Sequence, residues 1–402
     1  MSAPMSAPSG APAPPAAGFK ADCLVIDADS HVLEPADLWE RYLEPRYRDR
    51  AIRIVETDGV EQLIMGGEVM MSGNLAGLGG VHLERTTIFT GGLRYQDGCP
   101  PASYDPIARV ALYDEWGVDA GLVFPTIGIL PFPAEDQDLV SAYCRAYNRW
   151  QADFSAATSG RAMPVAHLNL ADLDEAVKEL EWCIEHGFKA VFLPPEPIGA
   201  NRPGEARFDP LWQRCAEAGL PVCLHVVVRF GGAAVPYAAW HQAGAGMTFA
   251  FALGAPGQII PALSTMVLDG VFERVPDLKV VCVEAGCGWA AHLMDRLDEK
   301  WSVLGPLSPS PLAEKPSHYL ARNVWYVAEP EERTIGAMLE LVGEDRILWG
   351  SDYPHIDSNL DAPRLIRAGL ADLSPARRRA VLGGNAAALF GLSATLNRSE
   401  QP

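Results

Sequence analysis

The strongest constraint on this chain is an alternation. Short, almost continuously apolar runs of strand length recur through it, and most are followed by a segment whose apolar residues fall at helical spacing. The runs begin with Cys23-Leu-Val-Ile, leading into Asp27, and continue at 119–124, 162–166, 190–193, 222–225, 280–283, 324–327 and 346–349. Helix-like segments lie at roughly 106–116, 135–157, 172–186, 210–218, 258–275, 290–304, 331–342 and 376–390. The segment at 172–186 shows the pattern: leading acids, apolar residues on one face, then Gly187 as a stop. Runs with so little polar alternation are typical of parallel strands covered on both faces. Eight strands alternating with helices predict an α/β fold, a (β/α)₈ TIM barrel. An open doubly wound sheet would need a Gly-rich phosphate loop after the first strand, where Asp29-Ser-His31 stands instead.

The length of 402 residues, about half of them hydrophobic (49%), fits one such barrel with insertions. Residues 1–21 are rich in Ala, Pro, Ser and Gly and are expected to be a disordered tail. They have neither the basic start nor the apolar core of a signal peptide. Residues 397–402 are expected to fray. The catalytic barrel domain is expected over 22–395. An insertion after strand one, about 46–102, holds a hairpin signal at Asp58-Gly59 and is expected to cover the barrel mouth. The net charge of −19 argues against a nucleic-acid partner. No apolar run approaches eighteen residues, so no membrane span is expected. The eight cysteines lack a C-x-x-C pair, and several sit in strand runs. They read as small buried residues in a reducing, cytoplasmic setting.

In a barrel of this kind function collects where strands end. Strand one ends with Asp29 and His31. Residues two apart on a strand face the same way, so Asp27, Asp29 and His31 are expected on one side. Strand three runs into His167, strand five ends with His225, strand six with Glu284, and strand eight with Asp352 and then His355. Each alone has a plainer reading: a core histidine, a capping acid, a structural ion pair. Four strand ends carrying ligand-type groups favour a divalent cation, which offsets the cost of burying several carboxylates together. His167 reads as structural.

The chain resembles the amidohydrolase superfamily, in the branch that includes aminocarboxymuconate-semialdehyde decarboxylase. The stretches that carry the resemblance are Ile26-Asp-Ala-Asp-Ser-His-Val-Leu-Glu-Pro35, Glu284-Ala-Gly-Cys-Gly-Trp289, Gly350-Ser-Asp-Tyr-Pro-His355 and Gly384-Asn-Ala-Ala-Ala-Leu-Phe-Gly391, with the segment 174–193. The resemblance implies metal ligands at Asp29, His31, His225 and Asp352. Many members carry His or Glu where Asp29 stands. The branch's decarboxylases usually carry His where this chain has Glu284. Binuclear members use a Lys at the end of strand four, whereas Lys189 sits at the start of that strand, so a single ion is expected. Zn²⁺ suits this ligand set, with Mn²⁺ or Fe²⁺ close behind. Such an ion lowers the pKa of bound water and polarises a carbonyl, while Asp352, Glu284 and His355 are the candidates for moving protons.

The expected function is therefore metal-dependent hydrolysis of a small organic substrate at a bond next to a carbonyl. The first alternative is metal-dependent non-oxidative decarboxylation of an aromatic or enoic acid. The second is a non-catalytic barrel that binds a ligand and keeps the metal as a structural part. The carboxylate at Glu284 favours the first reading, since it suits a base better than an acid beside a dication. A homodimer or larger homo-oligomer is expected, as is common for soluble enzymes and for the resembled family.

Overall fold

The computed structural model describes residues 23–90, 92–130, 132, 136–227, 246–308 and 310–392. The expected tail at 1–21 and the C-terminal residues 397–402 lie outside them. Eight strands run in chain order: β1 Ile26–His31, β2 Ala120–Phe124, β3 Ala162–Ala166, β4 Ala190–Leu193, β5 Val222–His225, β6 Val280–Val283, β7 Val324–Ala328 and β8 Ile347–Trp349. Each pairs in parallel with the next. The circle closes through the segment after β8. Ser351 and Asp352 donate their N–H groups to the Asp29 carbonyl at 3.0 and 2.8 Å, and His31 donates to the Tyr353 carbonyl at 2.6 Å. This is the predicted (β/α)₈ barrel, and its seam joins two of the sequence stretches that carry candidate ligands.

The pleat decides which residues face inward. Cys223, Val281, Val283, Phe192 and Leu348 meet inside the barrel, whereas Val222, Leu224, Val280, Cys282 and Trp349 face the surrounding helices. His225 shares the face of Cys223 and so points inward. On β1 the expectation of three aligned side chains needs correction. The β1–β2 register slips between Asp27 and Ser30. Asp29 and His31 turn to the barrel mouth, while Asp27 accepts from the Ser351 N–H at 2.9 Å and its hydroxyl at 2.6 Å.

Helix 106–116 occurs as predicted. Pro106 opens it, Asp105 caps it by accepting from the Ala108 N–H at 2.9 Å, and Gly117 closes it at φ 61°. The predicted hairpin is also present: Arg53–Thr57 pairs with Val60–Met65 across Asp58 and Gly59, both at positive φ (52° and 79°). A third strand, Glu68–Ser72, follows a Gly66-Gly67 turn that the sequence reading passed over.

The segment after β5 differs most. Helix Gly246–Leu268 covers residues expected to be partly loop, and residues 228–245 lie outside the described ones. That helix is long and apolar enough to cross a membrane by length and composition, against the expectation of no such run. Its second half buries Ile259, Ala262, Leu263, Met266 and Val267 in the layer outside the strands, the packing of a barrel helix.

Candidate metal centre

The ends of β1, β5 and β8 meet. His31 Nε2 and His225 Nε2 lie 3.1 Å apart. Asp29 Oδ1 is 3.5 Å from each, and Asp352 Oδ1 is 3.4 Å from His31 Nε2. Glu284 Oε2 stands 3.5 Å from His225 Nε2. The structure thus brings together Asp29, His31, His225 and Asp352, with Glu284 beside them. His355 joins from behind, its Nδ1 2.8 Å from Asp352 Oδ1. Lys189 precedes β4 and lies at the other end of that strand.

The partners of each ring assign its tautomer. His31 Nδ1 faces the Pro125 carbonyl at 2.8 Å, and His225 Nδ1 faces the Val226 carbonyl at 2.9 Å. A carbonyl only accepts, so both Nδ1 atoms carry hydrogen and both Nε2 atoms present lone pairs to the shared centre. Burial, reinforced by the neighbouring His355, pushes His31 down to about 3, so at neutral pH His31 brings no proton to that gap. Among the described residues, Asp29 Oδ1 and Glu284 Oε2 are buried there without a hydrogen-bond partner. Converging acceptors with no donor are costly unless a cation sits among them. Imidazole nitrogens and carboxylate oxygens are suitable donors for a divalent transition metal. The residues fit the implied ion.

The carboxyl groups respond to this crowding differently. Burial raises Asp29, and what holds it below the ordinary carboxylate range is positive charge at the His225 and His31 nitrogens it faces, the place a cation would take. Burial pushes Glu284 well up, with Asp352 and Asp29 adding to it, and Asp352 likewise, with Asp357 and Asp29 adding. Glu329, just past β7, is raised to about 8 by burial and then by Asp29 and Asp357. Glu284 and Asp352 also share an unusual backbone, with φ of 57° and 53° in the left-handed region that residues with a Cβ seldom adopt.

Above the centre opens a cavity of about 550 Å³. Its lining is apolar at Val226, Val227, Phe251, Ala255 and Pro256 and acidic at Glu284, Glu329, Asp352 and Asp357. Helix Gly246–Leu268 supplies much of the apolar lining, through Phe251, Ala255 and Pro256. His167 stays apart. It contacts Cys144 Sγ at 3.1 Å and the Gly128 carbonyl at 2.7 Å and stacks on Phe192, the structural role expected for it.

Sequence reasoning missed several contributors. Arg109 is fully buried and bonds the Ala102 and His31 carbonyls, bracing the end of β1. Glu329 and Asp357 had no distinguishing signal, because isolated acids beside prolines and serines are common. Thr126 and Glu34 also went unmarked, although Glu34 lies inside the first resembling stretch.

Comparison with known proteins agrees with this geometry. The Amidohydrolase family matches residues 26–392. A curated relative, the 2-amino-3-carboxymuconate-6-semialdehyde decarboxylase of Dictyostelium discoideum, is 24% identical over 294 residues, covering 72% of this chain and 77% of that protein. The crystal structure of an amidohydrolase from Mycobacterium avium subsp. paratuberculosis is 25% identical, with a TM-score of 0.76 over 92% of this chain and all (100%) of that one. A 5-carboxyvanillate decarboxylase from Novosphingobium aromaticivorans, complexed with manganese and 4-hydroxy-3-methoxy-5-nitrobenzoic acid, shares the fold at 19% identity. Its TM-score is 0.66 over 92% of this chain and 97% of that chain. With a family match that runs from β1 to the last helix, and with two imidazoles and three carboxylates gathered at the mouth of a parallel barrel, this chain belongs to the amidohydrolase family.

Proposed function

We propose that this protein is a metal-dependent, non-oxidative decarboxylase of a small aromatic or enoic carboxylic acid. The observation that carries the reading is the curated decarboxylase relative, which matches most of the chain. It moves the balance away from hydrolysis, which the sequence alone favoured.

Charge counting supports it. Asp29, Asp352, Glu284, Glu329 and Asp357 crowd the cavity floor and one wall, against the +2 of one ion. So many like charges cannot all ionise together, so at least one carboxyl keeps its proton. Decarboxylation needs such a proton for the carbon left when carbon dioxide departs. Glu284, pushed up by burial and then by Asp352 and Asp29, is the group placed to give it, since Asp352 is needed ionised to hold the ion. Hydrolysis would instead need a free base. The apolar wall shields the substrate's body from water and suits a ring or an unsaturated chain.

Asp29, His31, His225 and Asp352 would hold the ion, with Glu284 at its edge. When bound, it would supply a positive charge that fixes the substrate's carboxylate and spreads the charge developing in the reaction. Mn²⁺ is the first ion to test, because carboxylate-rich sites suit it and the Novosphingobium decarboxylase was crystallised with it. Zn²⁺ is the competitor.

The test is a screen of aromatic and enoic acids against Mn²⁺-loaded and chelator-treated protein, reading released carbon dioxide and the mass of the product. The expected result is metal-dependent loss of carbon dioxide from at least one acid. Water addition to ester or amide substrates, with no carbon dioxide from any acid, would return hydrolysis to first place.

A further inference from the structure

Glu34 belongs to the first resembling stretch, yet it does not reach the metal centre. Its side chain is completely buried. Its carboxylate accepts three successive backbone N–H groups just past β2, from Thr126 at 3.1 Å, Ile127 at 2.8 Å and Gly128 at 3.1 Å. A carboxylate gripped by consecutive amides fixes that backbone in one shape. The residue so fixed is Thr126, itself 2% exposed.

Thr126 Oγ1 lies 2.7 Å from the Val32 carbonyl and 3.0 Å from His355 Nε2. On the other side of that ring, Nδ1 faces Asp352 Oδ1 at 2.8 Å. Asp352 Oδ1 in turn lies 3.4 Å from His31 Nε2, at the centre. A path of buried side chains therefore runs from the loop after β2, through His355, to the carboxylate after β8.

The hydrogens along this path are consistent. A carboxylate only accepts, so His355 Nδ1 carries hydrogen toward Asp352. The Thr126 hydroxyl has one hydrogen and two neighbours. Donating to His355 Nε2 leaves a neutral ring with its hydrogen on Nδ1, toward Asp352. Donating to Val32 while accepting from Nε2–H keeps the Nδ1–H only in a doubly protonated ring. Serine could do the same. Valine, of nearly the same shape, could do neither, and would leave a buried ring nitrogen without a partner.

We infer that Thr126 is a positioning residue of the metal centre: its hydroxyl locks the His355 ring, and the ring holds the Asp352 carboxylate toward the ion. The inference rests on the metal-centre part of the proposed function and not on the identity of the reaction. Residues that orient ligands in this way typically change metal affinity by 10- to 100-fold when lost.

The test compares wild type, Thr126→Val and Thr126→Ser in the full chain. Co²⁺ titration followed by absorption gives metal affinity, and long-range ¹H–¹⁵N spectra of the Zn²⁺-loaded protein give the His355 tautomer. Thr126→Val is expected to weaken Co²⁺ binding roughly 10-fold and to lose the single Nδ1–H signature of His355. Thr126→Ser is expected to restore both. If wild type binds Co²⁺ and Thr126→Val binds it as tightly with an unchanged tautomer, the inference is overturned while the metal-centre reading stands. Equal weakening in the serine variant would also overturn it, since the hydroxyl would not be the cause. No Co²⁺ binding by wild type would overturn both.

Discussion

The rim of the barrel from β8 through β1 to β2 and the rim at β5 and β6 carry the same kinds of group but hold them differently. On the first arc the functional groups have buried partners, save Asp29, whose Oδ1 finds none among the described residues. Asp352 is held by His355, His355 by Thr126, and Asp27 by Ser351, while Arg109 braces the His31 carbonyl. On the second arc, among the described residues, His225 Nδ1 leans only on the carbonyl of its own neighbour, Val226, and Glu284 Oε2 has no hydrogen-bond partner. Beyond it stands a helix whose Phe251 and Leu253 remain 44% and 46% exposed. Asp352 and Glu284 occupy matching strand ends with matching left-handed backbones, so the contrast lies in their support and not in their position. The first arc presets the geometry of the candidate ligands. The second borders the open cavity beside them.

The largest expected effect breaks the first arc at its functional end. Asp352→Asn should lower metal-dependent turnover roughly 10³-fold or more, because it removes a candidate ligand and proton carrier together and turns an amide toward the His355 Nδ1–H. Steady-state carbon dioxide release measures it. A loss smaller than that of the next variant would invert the contrast between the arcs.

The next effect probes the second arc. Glu284→Gln should keep the metal and the fold and lower turnover by roughly 10²-fold, the usual loss when a proton-transfer group is removed. Elemental analysis and turnover on one preparation separate the two quantities. Near-normal kcat would make Glu284 part of the wall and leave proton delivery to the first arc alone.

Much of this was legible in the chain. The strand count and helix 106–116 follow from local pattern, and the candidate ligands Asp29, His31, His225 and Asp352 were marked by their places at strand ends and by the family resemblance. Three things were not legible. The β1 register slip that turns Asp27 away depends on pairing with a strand some ninety residues on (Asp27 against Gly121). The start of helix Gly246–Leu268 was hidden because its Ala, Gly and Pro content imitates a loop and two prolines, Pro256 and Pro261, lie inside it. The support from Glu34 and Thr126 to His355 joins three distant segments, and a Thr beside a Pro carries no signal of its own.

A third prediction tests the foundation of the first arc by pH. His167 holds the Gly128 carbonyl, whose peptide neighbourhood is gripped by Glu34. Burial lowers His167 from 6.5 to about 4 in the folded protein. The unfolded chain therefore binds the extra proton first, so this contribution to stability is complete above about 6.5 and is lost as pH falls toward 4. His167→Gln should remove that dependence, flattening the acid side of the stability curve of metal-free protein by on the order of 2 to 3 kcal/mol between pH 7 and 4.5. Urea unfolding at several pH values checks it. Parallel curves for the two proteins would show that His167 titrates normally and that the arc is looser than its hydrogen bonds imply.

The smallest effect sharpens what the open arc selects. Phe251 lines the cavity, whereas Leu253, two residues on and just as exposed, does not. If the apolar wall receives the substrate's body, binding should cover the Phe251 ring and leave Leu253 in water. Covering a few tens of Å² of ring at about 25 cal/mol per Å² is worth roughly 1 kcal/mol, or about fivefold in affinity. Phe251→Ala should therefore raise KM several-fold with kcat almost unchanged, because the ring would contact substrate and transition state alike. Leu253→Ala is the internal control, with the same helix, similar exposure and no cavity contact, and its KM should stay at the wild-type value. Should both variants raise KM equally, the helix would matter through its folding and not through its surface, and the second arc would lose its role in selection. Should Phe251→Ala lower kcat instead, the ring would act on the reacting groups, and the division between an arc that sets geometry and an arc that receives substrate would have to be redrawn around it.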